Sequence, residues 1–286
     1  MILNNRMKNF NNLFITILFS SFLLFNSCDS GINVFSKADD VQLGRDVDTE
    51  IRNNPQEYPL FQGDPAIKSY INQRIFSHII SSPQIESKDI YPYQLEIIDQ
   101  DILNAFALPG GYLYVYTGLL NYLDTEAALA GVLGHEIAHA ERRHATQRMT
   151  AHYGVSFLLS LILGENPSQI AEVAANLFVG LTFLANSRSD ENDADEYSFN
   201  YLKDTRYYPG GVKFFFEKMQ DDSLISSQSD KVTTFLSTHP DPIERIAVTN
   251  QRLIDGNHVI KNYQSSGEGI FREEYSNNIK NRLGKK

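Results

Sequence analysis

The 286-residue sequence has one cysteine, Cys28, so it can form no intramolecular disulfide and can build no zinc or iron–sulfur site on thiolates. Any metal must be held by histidine and carboxylate. Positive charge is also short: 25 Lys and Arg stand against 35 Asp and Glu, a net charge of -10. That is the wrong sign for wrapping a nucleic-acid backbone, and nucleic acid is not expected as a partner. No uninterrupted apolar run reaches the ~20 residues of a membrane-spanning helix. There is no internal repeat and no phosphate-binding glycine loop. What is present, 42% hydrophobic and 21% charged residues, suffices for one domain with a well-buried core or two small ones, and excludes a disordered or collagen-like chain.

Residues 1–27 have the build of an export signal, with Arg6 and Lys8 as the basic end and Leu13 to Phe25 as a mostly apolar run. Asn26-Ser27-Cys28 follows, then Asp29-Ser30-Gly31. A small residue followed by cysteine at the end of such a run resembles the bacterial lipoprotein signal, in which the cysteine is lipidated and becomes the new N-terminus. The expected layout is a lipoprotein-type signal peptide at 1–27, a linker at 28–36, a folded domain at 37–256 and a peripheral polar tail at 257–286. Cys28 is the expected lipid anchor, which also removes a free thiol from an oxidising compartment. An ordinary cleaved signal and a retained hydrophobic anchor are the alternatives, and all three place the remainder outside the cytoplasm.

Asp39 to Ile51 reads as a short polar helix. Asp64-Pro65 opens a second, with Ile67, Tyr70, Ile71, Ile75 and Ile79 at helical spacing, closed by Ser82-Pro83. Tyr93, Leu95 and Ile97 alternate with polar residues as in a half-buried strand. Asn104–Leu108 and Tyr112–Tyr116 read as two further extended pieces joined through Pro109-Gly110-Gly111. From Thr125 onward, Ala127 to Leu133 is apolar on nearly every side, as in a helix running through a core. Two more apolar stretches, Val155–Leu163 and Ile170–Ala185, read as core helices, with a membrane-facing hairpin as the alternative.

The buried helix ends in Gly134-His135-Glu136-Ile137-Ala138-His139. Residues four apart share a helix face, so both imidazoles can reach one ion while Glu136 projects beside them. A catalytic zinc usually has three protein ligands, and the third should come from another element. The candidates lie in Arg188-Ser189-Asp190-Glu191-Asn192-Asp193-Ala194-Asp195-Glu196. A solvated helix face and a calcium loop are the competing readings, the latter weakened by the absence of a central glycine. Glu191 and Asp195 are four apart, so Glu191 can ligate while Asp195 orients a ligating imidazole through its second nitrogen. His144, nine residues after His135, faces the same side only approximately. His78, His152 and His258 read as surface or packing residues.

Four segments in order, Asn104–Leu120, Thr125–His144, Ser187–Asp195 and Thr238-His239-Pro240-Asp241-Pro242 through Arg245-Ile246, together resemble the peptidase family M48 over about residues 37–256, and its short lipoprotein members in particular. The resemblance implies an α+β, zincin-like (gluzincin) metallopeptidase domain, mostly helical with a small sheet beside the active-site helix. It implies one zinc per chain on His135, His139 and Glu191, with Glu136 as general base and proton shuttle. Asn104, Ala105, Phe106 and Ala107 would form an edge strand that pairs with an extended peptide. His239 would serve as a reversible fourth ligand or oxyanion stabiliser, and Arg245 as an oxyanion or substrate-positioning group. Ser198 departs from the family, which often has Gly there. The implied activity is endopeptidase cleavage of misassembled or damaged polypeptides in the bacterial envelope, lipid-anchored and facing the periplasm. A zinc-bound chaperone or assembly factor that holds extended segments without cutting them is the alternative.

Overall fold

Ser36 starts the first helix, α1 (Lys37–Asn53): its hydroxyl accepts from the Asp39 N–H while the Asp39 carboxylate accepts from the Ser36 N–H. The computed structural model of the protein describes residues 32–162, 185–226 and 230–283. The chain divides into two units, Met1–Asn33 and Val34–Lys286, and α1 and every later element belong to the second. Cys28, the export signal and most of the second apolar stretch lie outside the described residues. Among those described, no helix is long and apolar enough to cross a membrane.

Asp64 caps α2 (Pro65–Tyr70), which continues through a π-helical turn (Ile71–Phe76) into α3 (Ser77–Ile80). Ile67, Ile71, Ile75 and Ile79 are all fully buried along it. A small sheet follows: β1 (Gln94–Ile98), β2 (Ala105–Leu108) and β3 (Tyr112–Tyr116), in the order β1-β3-β2. β2 and β3 form an antiparallel hairpin with Leu108 opposite Tyr112, whereas β1 runs parallel to β3 with Leu95 opposite Leu113. β2 is therefore left at an edge. Between β2 and β3 the chain needs left-handed backbone at Gly110 (φ 74°), where a Cβ would also stand 2.6 Å from the Cα of Val41 in α1. The sheet separates two cores. Leu95, Ile97, Leu113 and Val115 join the main one, and Leu108, Tyr112, Tyr114 and Tyr116 join a second with Leu43, Val47 and Ile51 of α1.

After α4 (Thr117–Tyr122), Thr125 caps α5 (Glu126–Glu141) through its hydroxyl, and every residue from Glu126 to Ala140 is buried. α6 (His144–Tyr153) and α7 (Val155–Ile162) follow, then α8 (Arg188–Lys203), α9 (Val212–Asp221), α10 (Asp230–Thr238) and α11 (Pro242–Asp255). The whole is α+β, mostly helical, with the sheet packed against α5 as expected.

Neighbouring elements approach α5 closely because two of its residues lack side chains. A Cβ on Gly131 would lie 2.1 Å from the backbone nitrogen of Val212, and one on Gly134 would lie 2.7 Å from the Ser198 hydroxyl. Ser198 is accommodated by donating to the Gly131 carbonyl at 2.9 Å, so the departure from the family pattern is absorbed by a hydrogen bond between α8 and α5. Because the clash at Gly131 is with backbone, Gly131→Ala is expected to lower stability by about 1–3 kcal/mol or more, read as a fall in Tm on thermal unfolding.

The stretch after Asn257 differs from the expected peripheral tail. The Ile270 and Phe271 carbonyls accept from the N–H groups of Ala127 and Glu126, first-turn donors of α5 that have no partner within the helix. α12 (Arg272–Tyr275), a π-helical turn (Ser276–Lys280) and α13 (Asn281–Leu283) then place Ile270, Tyr275 and Ile279 fully inside the main core.

Candidate metal centre

α5 presents His135 and His139 one turn apart, and α8 crosses it with Glu191 in its first turn. Ser187 starts α8 with a capping box, which fixes where that first turn begins. The two Nε2 atoms are 3.0 Å apart, and the Glu191 oxygens lie 3.4 Å from His135 Nε2 and 3.3 Å from His139 Nε2. Nδ1 of His239, at the end of α10, stands 3.0 Å from Glu191 Oε1 and 3.4 Å from His135 Nε2. Phe235 stacks on the His239 ring, centroid to centroid 4.8 Å, and holds it there. One donor atom from each of these four buried residues falls within 4.8 Å of all the others. Tetrahedral zinc with bonds of ~2.0–2.1 Å needs donors roughly 3.4 Å apart, so the set fits a zinc ion.

The surrounding residues fix which nitrogen faces the centre. His135 Nδ1 lies 2.8 Å from Asp195 Oδ1, one turn after Glu191, so it donates there and turns Nε2 toward the other donors, as the i, i+4 spacing predicts. His139 is held by a route the spacing did not give: its Nδ1 is 2.8 Å from His144 Nδ1, and His144 Nε2 is 3.1 Å from Asp193 Oδ2. His144 reaches this position because Arg143 adopts a left-handed conformation (φ 63°) that ends α5 and turns the chain back. Asn186 also belongs to the site, its amide nitrogen donating to Glu191 Oε1 at 2.5 Å. Both residues sit beside the helices that carry the recognisable motifs, and only the folded turns bring them in.

Arg245 of α11 stands elsewhere than expected. It is not among the residues lining the cleft: its Nε and Nη2 bond both oxygens of Asp195 at 2.8 and 2.7 Å, and Nη1 lies 2.6 Å from Glu191 Oε2. The guanidinium is buried over the Phe216 ring, behind the donor set, where it braces two carboxylates and cannot meet an oxyanion in the cleft. Breaking such a brace perturbs ligand orientation, so Arg245→Ala is expected to weaken zinc binding by about 10–100-fold, measured by competition with a chromogenic chelator.

The charges follow from these contacts. Burial alone would raise the Glu191 carboxyl, but His239, Arg245 and His135 together hold it well below the usual range. Burial opposes ionisation of Asp195 too, and Arg245 and His135 outweigh it. Burial, with His135 beside it, keeps His139 far below its ordinary value and hence neutral, the form that ligates. For His135, burial and the Arg245 charge push down, while Glu191 and Asp195 prevail and raise it to about 9. Burial pushes Glu136 up despite the histidines nearby.

A cleft opens from Glu136, His139 and His239 along Asn104, Ala105, Phe106 and Ala107, so the expected strand residues and the expected base line one groove. His239 Nε2 is 3.8 Å from Glu136 Oε1. His78, His152 and His258 lie outside both the donor set and this groove: the first packs edge-on against Tyr207, the last against Phe199, and His152 is exposed.

Residues 68–253 match the family described as peptidase family M48. Among characterised relatives, the chain is 28% identical over 232 residues to the beta-barrel assembly-enhancing protease of Escherichia coli, covering 77% of this chain and 45% of that one. It is 31% identical over 148 residues to the mitochondrial metalloendopeptidase OMA1 of Arabidopsis thaliana (52% and 29%), and 26% identical over 172 residues to the metalloprotease YcaL of E. coli (58% and 64%). It thus spans less than half the length of the first two.

Proposed function

The chain belongs to peptidase family M48, and from that premise we propose that it is a zinc-dependent endopeptidase of the bacterial cell envelope. The observation that carries this reading is the convergence of His135, His139 and Glu191 beside a groove that also holds Glu136 and an edge strand. Those three residues would hold one zinc with a position left for water, which His239 could fill reversibly when no substrate is bound. When bound, the ion supplies a Lewis acid that polarises the scissile carbonyl and makes water acidic near neutral pH.

The remaining work falls to the protein. An extended peptide pairs with the free edge of β2, which brings its carbonyl to the donor end of the groove. Glu136 takes a proton from the attacking water as the water oxygen bonds to the carbonyl carbon, then returns it to the amine as the C–N bond breaks. Burial raises the Glu136 carboxyl and so favours this return. His239, facing both Glu136 and Glu191, is positioned to donate to the developing oxyanion. Asp195 and the His144–Asp193 pair keep the two ligating imidazoles in the required tautomer, and Arg245 braces the carboxylates.

Envelope polypeptides, misassembled or damaged, are the proposed substrates; a relative named for enhancing β-barrel assembly supports this class. Lipidation at Cys28 would tether the domain to a membrane on its periplasmic side. Cys28→Ala is expected to move the protein from the membrane to the soluble fraction and to change signal processing; unchanged fractionation would remove the anchor. The peptidase assignment is tested by whether the purified protein cuts an unfolded polypeptide and stops when chelator is added.

A further inference from the structure

Helix α1 precedes the family match, which begins at residue 68, yet it forms a wall of the cleft through Asp40, Val47 and Ile51. Asp40 is 1% exposed. Its Oδ2 accepts from the Tyr91 hydroxyl at 2.7 Å and from Arg143 Nε at 2.5 Å. Arg143 is in turn fixed by donating to the Phe35 carbonyl. The other oxygen, Oδ1, is buried with no hydrogen-bond partner among the described residues. An acceptor of this kind is costly unless something completes it, and Asp40 lines the same groove as Glu136.

The surfaces that accompany it in the cleft are apolar and aromatic: Val47, Ile51, Phe106 and Tyr116. Arg143 already neutralises the carboxylate, and Arg148 also lines the groove, so a neutral donor suits the site better than a cation. The phenol of Tyr91 bonded to Oδ2 demonstrates the chemistry on the neighbouring oxygen. We propose that Asp40 is a specificity-determining residue: its Oδ1 accepts a hydrogen bond from the hydroxyl of a substrate tyrosine whose ring occupies the apolar part of the cleft. The assignment rests on reading the groove as a peptide-binding cleft.

Two extended dodecapeptides, identical except for one central Tyr or Phe, test it against the full-length protein, with binding read by fluorescence anisotropy and cleavage followed in parallel. The Tyr peptide is expected to bind about 10–100-fold more tightly, because the Phe peptide leaves the carboxylate oxygen unpaired. O-methyltyrosine at that position should bind like Phe, and Asp40→Ala should collapse the Tyr-to-Phe ratio. Should the variant fail to fold, the three peptides on the unaltered protein decide the matter. Equal binding of Tyr and Phe peptides, binding of neither, or a ratio unchanged in Asp40→Ala overturns the proposal. A preserved ratio without cleavage supports the recognition role and counts against the peptidase reading alone.

Discussion

Glu136→Gln is expected to reduce peptide hydrolysis by about 10²–10⁴-fold while leaving zinc content and Tm unchanged. Glutamine matches glutamate in size but cannot take the proton of the attacking water. Glu136 is not one of the four converging donors, so the exchange leaves the donor set intact. Burial opposes ionisation of this carboxyl, and its contact with His239 Nε2 is long at 3.8 Å, so the exchange costs little stability. The diagnostic pattern is lost turnover with retained metal, measured by elemental analysis beside a peptide-cleavage assay. Loss of the metal would make Glu136 a ligand, and unchanged turnover would dismiss it as the base.

A chain ending at Gly256 is expected to lose cooperative folding, although the family match ends earlier, at residue 253. Ile270, Tyr275 and Ile279 are each fully buried in the main core, and the Tyr275 hydroxyl donates to the Leu120 carbonyl at 2.7 Å. Removing a buried side chain of this size costs about 2–5 kcal/mol, so three together approach or exceed the roughly 5–15 kcal/mol that a domain has in total. The truncation would also strip the carbonyl partners from the first turn of α5, the helix that carries His135 and His139. Far-UV circular dichroism on heating should show no sharp transition; a Tm within a few degrees of the full chain would return 257–283 to the periphery.

The parts of the fold that follow from local rules were legible in the sequence. Asp64 and Thr125 mark helix starts, the alternation at Leu95 and Ile97 marks a strand, and His135, His139, Glu191 and Asp195 follow from the four-residue period of a helix. Contacts set by turns between elements were not legible. His144 enters the site through the left-handed backbone of Arg143, a conformation its sequence does not demand, and Asn186 through the loop before α8. Arg245 was expected in the cleft from the family resemblance alone, but the course of α11 puts it behind the donor set. The C-terminal stretch was misread because only three of its apolar residues are fully buried, separated by polar ones, and a π-helical turn blurs their period.

The central claim is that His135, His139 and Glu191 hold a zinc that the cleft uses for peptide hydrolysis. Its most direct test is cleavage of an unfolded polypeptide by the purified full-length protein as isolated, after chelation, and after return of one equivalent of zinc. Cleavage that is lost with the metal and restored by one zinc per chain is the predicted result. Cleavage that persists in the metal-free protein, or a folded protein that takes up zinc and never cuts, would contradict the account.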